Sequence, residues 1–162
     1  MKQLFAIMLV FFALVSISAC SALEDPPNIE IAQQYFQEHY EDLCHVAEYL
    51  QTIDGKVYVD YRGRRLDNWY DVDIPDDVLS CIKRLRGNRS RILISKNDNT
   101  IRISLWLPTM RDASSGFAYS INGTDLPEVE HTVEMMPLDK RGWYYYIEDF
   151  NQWRSTGDGS VS

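Results

Sequence analysis

The chain has 162 residues, 45% of them hydrophobic, and carries 24 acidic against 16 basic side chains for a formal net charge of −8. That balance argues against a nucleic-acid-binding protein, because phosphate backbones are held by clustered Lys and Arg, and the apolar content excludes a disordered tail. The length suits one domain, in a size range that buries roughly 68–70% of the unfolded surface.

The N-terminus opens with one basic residue, Lys2, followed by an uninterrupted apolar run over residues 4–15 and then by small residues. This is the three-part layout of a secretory signal, and its core is short for a bilayer span of roughly 20 residues. Residues 1–19 are therefore expected to be a cleaved signal peptide. Ile17-Ser18-Ala19-Cys20 resembles the lipobox of bacterial lipoproteins: an aliphatic residue, a small or aliphatic one, a small one, then a cysteine. The resemblance implies cleavage before Cys20, acyl chains on Cys20, and a protein held in the bacterial cell envelope, facing away from the cytoplasm. Each buried methylene contributes about 0.8 kcal/mol, and stable anchoring takes more than one chain. Ordinary secretion, with cleavage after Ala22, is the alternative. The mature chain keeps 15 basic and 24 acidic residues, a net charge of −9.

Three cysteines leave one over for an exported protein. Acylation of Cys20 leaves Cys44 and Cys81 as one possible disulfide, which would stabilise by up to roughly 4 kcal/mol on the chain-entropy model; two buried free thiols are the alternative. Residues 20–28, with Pro26-Pro27, read as a tether, and residues 29–154 as the domain. A helix is expected over residues 29–52, where Ala32, Phe36, Tyr40, Leu43, Val46, Ala47 and Leu50 recur at helical spacing. Val57, Val59 and Tyr61 alternate with Tyr58 and Asp60 as in a half-buried strand, with a short second strand expected around Trp69-Tyr70.

Asp73-Ile74-Pro75-Asp76-Asp77 is a helix start, and Val78, Cys81, Ile82 and Leu85 form its apolar stripe before Gly87. A β-hairpin follows. Ile92-Leu93-Ile94 leads through Asn97-Asp98-Asn99 to Ile101, Ile103, Leu105 and Leu107, alternating with Arg102, Ser104 and Trp106. Phe117, Tyr119 and Ile121 read as another strand after a Ser114-Ser115-Gly116 loop. Residues 128–134 read as an edge strand, residues 143–147 as an aromatic strand, residues 148–154 as a last short helix, and residues 155–162 as a polar tail. The order predicts an α+β domain: an antiparallel, meander-like sheet of four to six strands with two main helices packed on one face.

The chemistry-bearing residues are sparse. Glu41 and His45 have an i, i+4 spacing, and His131 lies among Glu128, Glu130 and Glu134, but neither set marks a metal site and no metal, other cofactor or catalytic residue is expected. No serine sits in a nucleophile elbow and there is no phosphate-binding loop. The basic islands around Arg62, Arg64 and Arg65, and from Lys83 to Arg91, read as solvated surface. The dense aromatics carry the functional expectation. On alternating strands, Tyr144 and Tyr146 face one way and Trp143 and Tyr145 the other, and Trp106 falls on the polar side of its strand. Trp106, Tyr144 and Tyr146, edged by Arg102 and Arg111, are the expected surface for an envelope protein, a peptide or a glycan. The function expected is a non-catalytic binding or accessory module. The alternatives are a small metal-dependent hydrolase using His131 and nearby acids, or an inhibitor or immunity-type protein.

Overall fold

The computed structural model describes residues 26–62, 65–68, 73–107, 113–123, 125–149 and 151, the side chains of 62 and 65–68 excepted. Three helices and seven strands follow one another as α1 (Ile29–Glu38), α2 (Tyr40–Gln51), β1 (Val57–Arg62), β2 (Arg65–Asn68), α3 (Asp76–Arg86), β3 (Arg91–Lys96), β4 (Thr100–Trp106), β5 (Ala113–Ser120), β6 (Thr132–Pro137) and β7 (Trp143–Asp149). All neighbouring strands are antiparallel, in the order β2-β1-β3-β4-β5-β7-β6. The domain is α+β as expected, with one strand more than the four to six anticipated.

The expected single helix over residues 29–52 is two. Asn28 caps α1 by accepting the Ile31 amide at 3.0 Å, as short polar side chains at helix starts do. The helix breaks at His39, whose backbone (φ −117°, ψ 15°) leaves the helical region. The break frees two apolar stripes to point at different surfaces. Phe36 of α1 packs on Phe117 and Trp143 of the sheet, with ring centroids 5.4 and 5.5 Å away, and α2 lies antiparallel to α3. Three contacts fix that pairing: Asp42 with Arg84, His45 with Asp77, and the Tyr49 hydroxyl on the Asp73 carbonyl.

The third helix, α3, starts at Asp76, inside the segment Asp73–Asp77 expected to begin it, with Pro75 in the capping position and Asp76 and Asp77 in its first turn. Gly87 ends it at φ 53°, a conformation that side chains disfavour.

Period-two alternation puts Val57, Val59, Ile92, Ile94, Ile101, Ile103, Phe117, Trp143 and Tyr145 on the sheet face beneath the helices, all buried. Each such side chain contributes roughly 1.5–3 kcal/mol on burial. Three local expectations change. Ser114, Ser115 and Gly116 belong to β5 and not to a loop; Gly116 sits so close to its neighbour that an added Cβ would lie 2.1 Å from the Ile103 carbonyl oxygen. The edge strand expected over residues 128–134 begins at Thr132, after a turn at His131 with φ 59°. Glu148 and Asp149 end β7 and so are not part of the last helix expected over residues 148–154; Asn151 is helical, and residues 150 and 152–154 lie outside the described residues. The strand expected at Trp69-Tyr70 lies outside the described residues. None of the described helices is long and apolar enough to cross a membrane.

Candidate functional site

Cross-strand registers lay out the sheet face turned away from the helices in rows. One row runs Tyr58, Ser95, Arg102, Ala118, Tyr144, Pro137; the next runs Asp60, Leu93, Ser104, Gly116, Tyr146, Met135. Arg102, Tyr144 and Tyr146 of the expected binding set therefore share one face. Tyr144 is half-buried and turned outward. Tyr146 is not available to a partner: it is 0% exposed, lies beside the bare backbone of Gly116, and its hydroxyl pairs with Ser104 Oγ at 2.5 Å. Burial pushes its phenol well above the usual tyrosine value.

Arg102 and Glu148 flank the Tyr146 row from opposite sides. Arg102 Nη1 donates to Glu148 Oε2 at 2.9 Å, with side chains 22% and 18% exposed, and the Ser114 hydroxyl donates to the other Glu148 oxygen. Arg102 and Glu148 thus bridge across the tyrosine they flank.

Trp106 moves to the other face. Ser104 pairs with Gly116 but Trp106 pairs with Ser115, so Leu105 is an extra residue on β4 and makes a β-bulge. A one-residue slip turns the following side chain to the opposite side of the sheet. The indole lies under the helices against Tyr35, Phe117 and Tyr145, at centroid distances of 5.4, 5.9 and 6.1 Å. The Arg89 guanidinium covers both Tyr35 and Trp106, 4.7 and 5.0 Å from their centroids. Arg111 lies outside the described residues.

A residue group that the sequence did not single out completes the outward face. The segment before β6 crosses the β3–β4 hairpin and is pinned there by the Glu128 amide donating to Thr100 Oγ1 at 2.9 Å. The hairpin itself is held by Asn97 Oδ1, which accepts from the Asn99 and Thr100 amides. Between them lies a cleft of about 200 Å3, lined by Ser95, Asn97, Thr100, Arg102, Glu128 and Glu130 among others. One water occupies roughly 30 Å3 of liquid, so the cleft has room for one small polar group. The only sequence signal was the turn chemistry of Asn97-Asp98-Asn99.

The helix layer carries a second polar surface. Two grooves of about 460 and 440 Å3 share Glu41, Asp42 and Arg84. Arg84 holds Asp42 with a bidentate fork, 2.6 Å at the shortest, and also donates to Cys81 Sγ at 3.2 Å. Partial burial works to raise the Asp42 carboxyl, but its bonds to Arg84 and Cys81 hold it below the ordinary value. His45 Nε2 lies 2.9 Å from Asp77 Oδ2, so the partner of His45 is Asp77 on the facing helix and not Glu41.

Cys44 and Cys81 are free thiols, where a bridge was expected from the sequence. Each has its own neighbours: Cys44 bonds with Tyr40, whose phenol is pushed up to about 12 by that bond and by burial, while Cys81 sits against Asp42 and Arg84. Burial raises both thiols above their usual value, which disfavours the thiolate that disulfide exchange requires.

His131 lies in the turn before β6, where its carbonyl accepts the Asp149 amide at 3.2 Å. Among the described residues, no three of His, Cys, Asp and Glu are grouped to hold a metal ion. The chain matches no family model, no curated protein and no solved structure.

Proposed function

We propose that the protein is an exported bacterial envelope protein, lipid-anchored at Cys20, whose single domain is a non-catalytic binding or accessory module. Its binding surface is the sheet face opposite the helices, centred on Tyr144, Arg102 and the adjoining cleft. The observation that carries this reading is the cleft. Its flanking segment is held on the hairpin by a single amide–hydroxyl bond to Thr100, while Arg102 and Ser95 stand at register-matched positions on its floor. A pocket with a few convergent polar groups beside an aromatic suits recognition of a peptide or glycan substituent. Trp106 and Tyr146 are not part of the surface. Anchoring is supported by Ile17-Ser18-Ala19-Cys20 and by the short distance in sequence from Cys20 to the first capped helix at Asn28.

Two measurements test the two halves. An intact mass of protein extracted from membranes should equal residues 20–162 plus acyl chains; an unacylated mass beginning after Ala22 or at Met1 removes the anchor. For the surface, photo-crosslinking residues introduced at Tyr144 and Glu130 should capture one envelope component, whereas one at Trp106 should not. Equal capture from all three positions, or capture from Trp106 alone, overturns the placement.

A further inference from the structure

The lipid-anchored reading specifies where the chain enters the domain, and the structure shows what surrounds that entry. The Tyr145 hydroxyl donates to the Pro27 carbonyl at 2.7 Å, which seats the start of the domain over the middle of β7. From there a continuous line of contacts leads to a basic end of the molecule. Tyr145 lies against Trp106, Trp106 lies beneath the Arg89 guanidinium, and Arg86 Nη1 donates to the Arg89 carbonyl at 2.9 Å. Lys83, one helical turn before Arg86, is exposed in the last turn of α3. Ile31, in the first turn of α1, is 55% exposed.

Charge is segregated along α3. Its last turn holds Lys83, Arg84 and Arg86, and its first turn holds Asp76 and Asp77, roughly 9–15 Å away at 1.5 Å per residue. Because α2 runs antiparallel to α3, its end meets Asp73, whereas its first turn brings Glu41 and Asp42 beside Arg84. At the basic end, Arg84 is matched by Asp42, and Glu38 and Glu41 line the same groove. Lys83, Arg86 and Arg89 have no carboxylate partner among the described residues.

Pro27 is the seventh residue after Cys20. Fully extended, that length of chain reaches at most about 25 Å. The Debye length is about 8 Å at physiological salt, so a domain on so short a leash samples the electrostatic field of the membrane continually. We propose that the end of the domain formed by Lys83, Arg86 and Arg89, with Ile31 beside the tether, docks on the anionic phospholipid bilayer that holds Cys20. The acid-rich end and the cleft-bearing sheet face are then presented away from the lipid.

This rests on the anchored reading, and the test separates the two. The purified mature protein and its Cys20→Ser variant are floated with phosphatidylcholine vesicles, with and without phosphatidylglycerol. The Cys20→Ser variant should float with the anionic vesicles at low salt and be released near 1 M salt, where the Debye length is about 3 Å; it should ignore the neutral ones. Replacing Lys83, Arg86 and Arg89 together by Gln should weaken that attachment on the order of 100-fold, since each Lys or Arg near an anionic surface is worth about fivefold. An Arg86→Lys, Arg89→Lys variant, which keeps the charges but not the guanidinium stacking, should bind as the parent does. Attachment indifferent to phosphatidylglycerol, absent at low salt, or unchanged by the three Gln substitutions overturns the proposal, as does its loss in the Lys variant. Failure of the anchor alone looks different: the wild type then carries no acyl mass and floats no better than Cys20→Ser.

Discussion

Removing one hydroxyl from the buried face of Tyr146 tests the polar packing under the outward sheet face. Tyr146 and Ser104 are both 0% exposed and share a hydrogen bond of 2.5 Å. Tyr146→Phe leaves Ser104 Oγ without that partner in a site closed to water, whereas in Ser104→Ala the phenol keeps its contact with the Ser114 hydroxyl. Stranding a buried polar group costs about 1–3 kcal/mol, whereas replacing both partners by apolar groups is close to neutral. Tyr146→Phe should lose about 1–3 kcal/mol, or roughly 3–9 °C of melting temperature for a domain of this size, and Ser104→Ala, which leaves the phenol its Ser114 partner, should lose less. The double variant should lose no more than the worse single, giving a coupling energy at least as large as the Ser104→Ala loss. Urea unfolding of the purified mature protein, with the slope held constant across all four species, measures the cycle. Additive losses would refute the reasoning, because they would mean that the Ser104 hydroxyl finds another partner when the phenol's is gone.

Gly116→Ala should prevent stable folding or cost several kcal/mol, since its methyl meets the Ile103 carbonyl backbone of the paired strand; a circular-dichroism melt reads it directly. Trp106→Ala should cost about 3 kcal/mol in the same melts by emptying space beneath α1, yet leave partner capture through Tyr144 intact. Tyr145→Phe should lose about 1 kcal/mol, with faster hydrogen exchange confined to the first turn of α1, where Pro27 is released. The Asp77 carboxyl is held below its ordinary value first by the hydrogen bond from His45. Its contribution to stability is therefore complete above the unfolded-state value of about 3.9 and is lost as pH falls through the lower folded value. His45→Ala should remove that stretch of the acid-unfolding profile, measured by fluorescence against pH.

The parts of the fold legible in the sequence are those where one periodicity governs a whole element. The stripe of Val78, Cys81, Ile82 and Leu85 and the alternation of Ile101 and Ile103 each report a single buried face, and the segregated order of helices and strands predicts the α+β class. Legibility stops where a decision is made between elements. Nothing local to His39 marks a helix break, because the break serves two distant targets: the Phe117–Trp143 wall for Phe36 and the flank of α3 for Leu43 and Val46. Trp106 lies on the face opposite to the one its alternation predicts, because a bulge at Leu105 depends on how β4 pairs with β5, not on β4 alone. Tyr146 was placed on the correct face, but its burial follows from Gly116 and from the Arg102–Glu148 bridge, which join strands far apart in sequence. The cleft escaped notice for the same reason: Thr100 and Glu128 are 28 residues apart and meet only once the hairpin is crossed. The cysteines show the same limit, since counting them cannot reveal that Asp42 and Arg84 already occupy the surroundings of Cys81.

The bond between the Tyr145 hydroxyl and the Pro27 carbonyl also settles how the domain answers to mechanical tension. A pull on the chain ahead of Pro27 enters at a single attachment over β7, next to the capped first turn of α1. The force opens that attachment first and then lifts α1 from the sheet one turn at a time, in the manner of a zipper, while the interstrand ladders of the seven-stranded sheet lie outside the line of loading. Tension drawn through the N-terminal tether should therefore lengthen α1 before it strains the sheet.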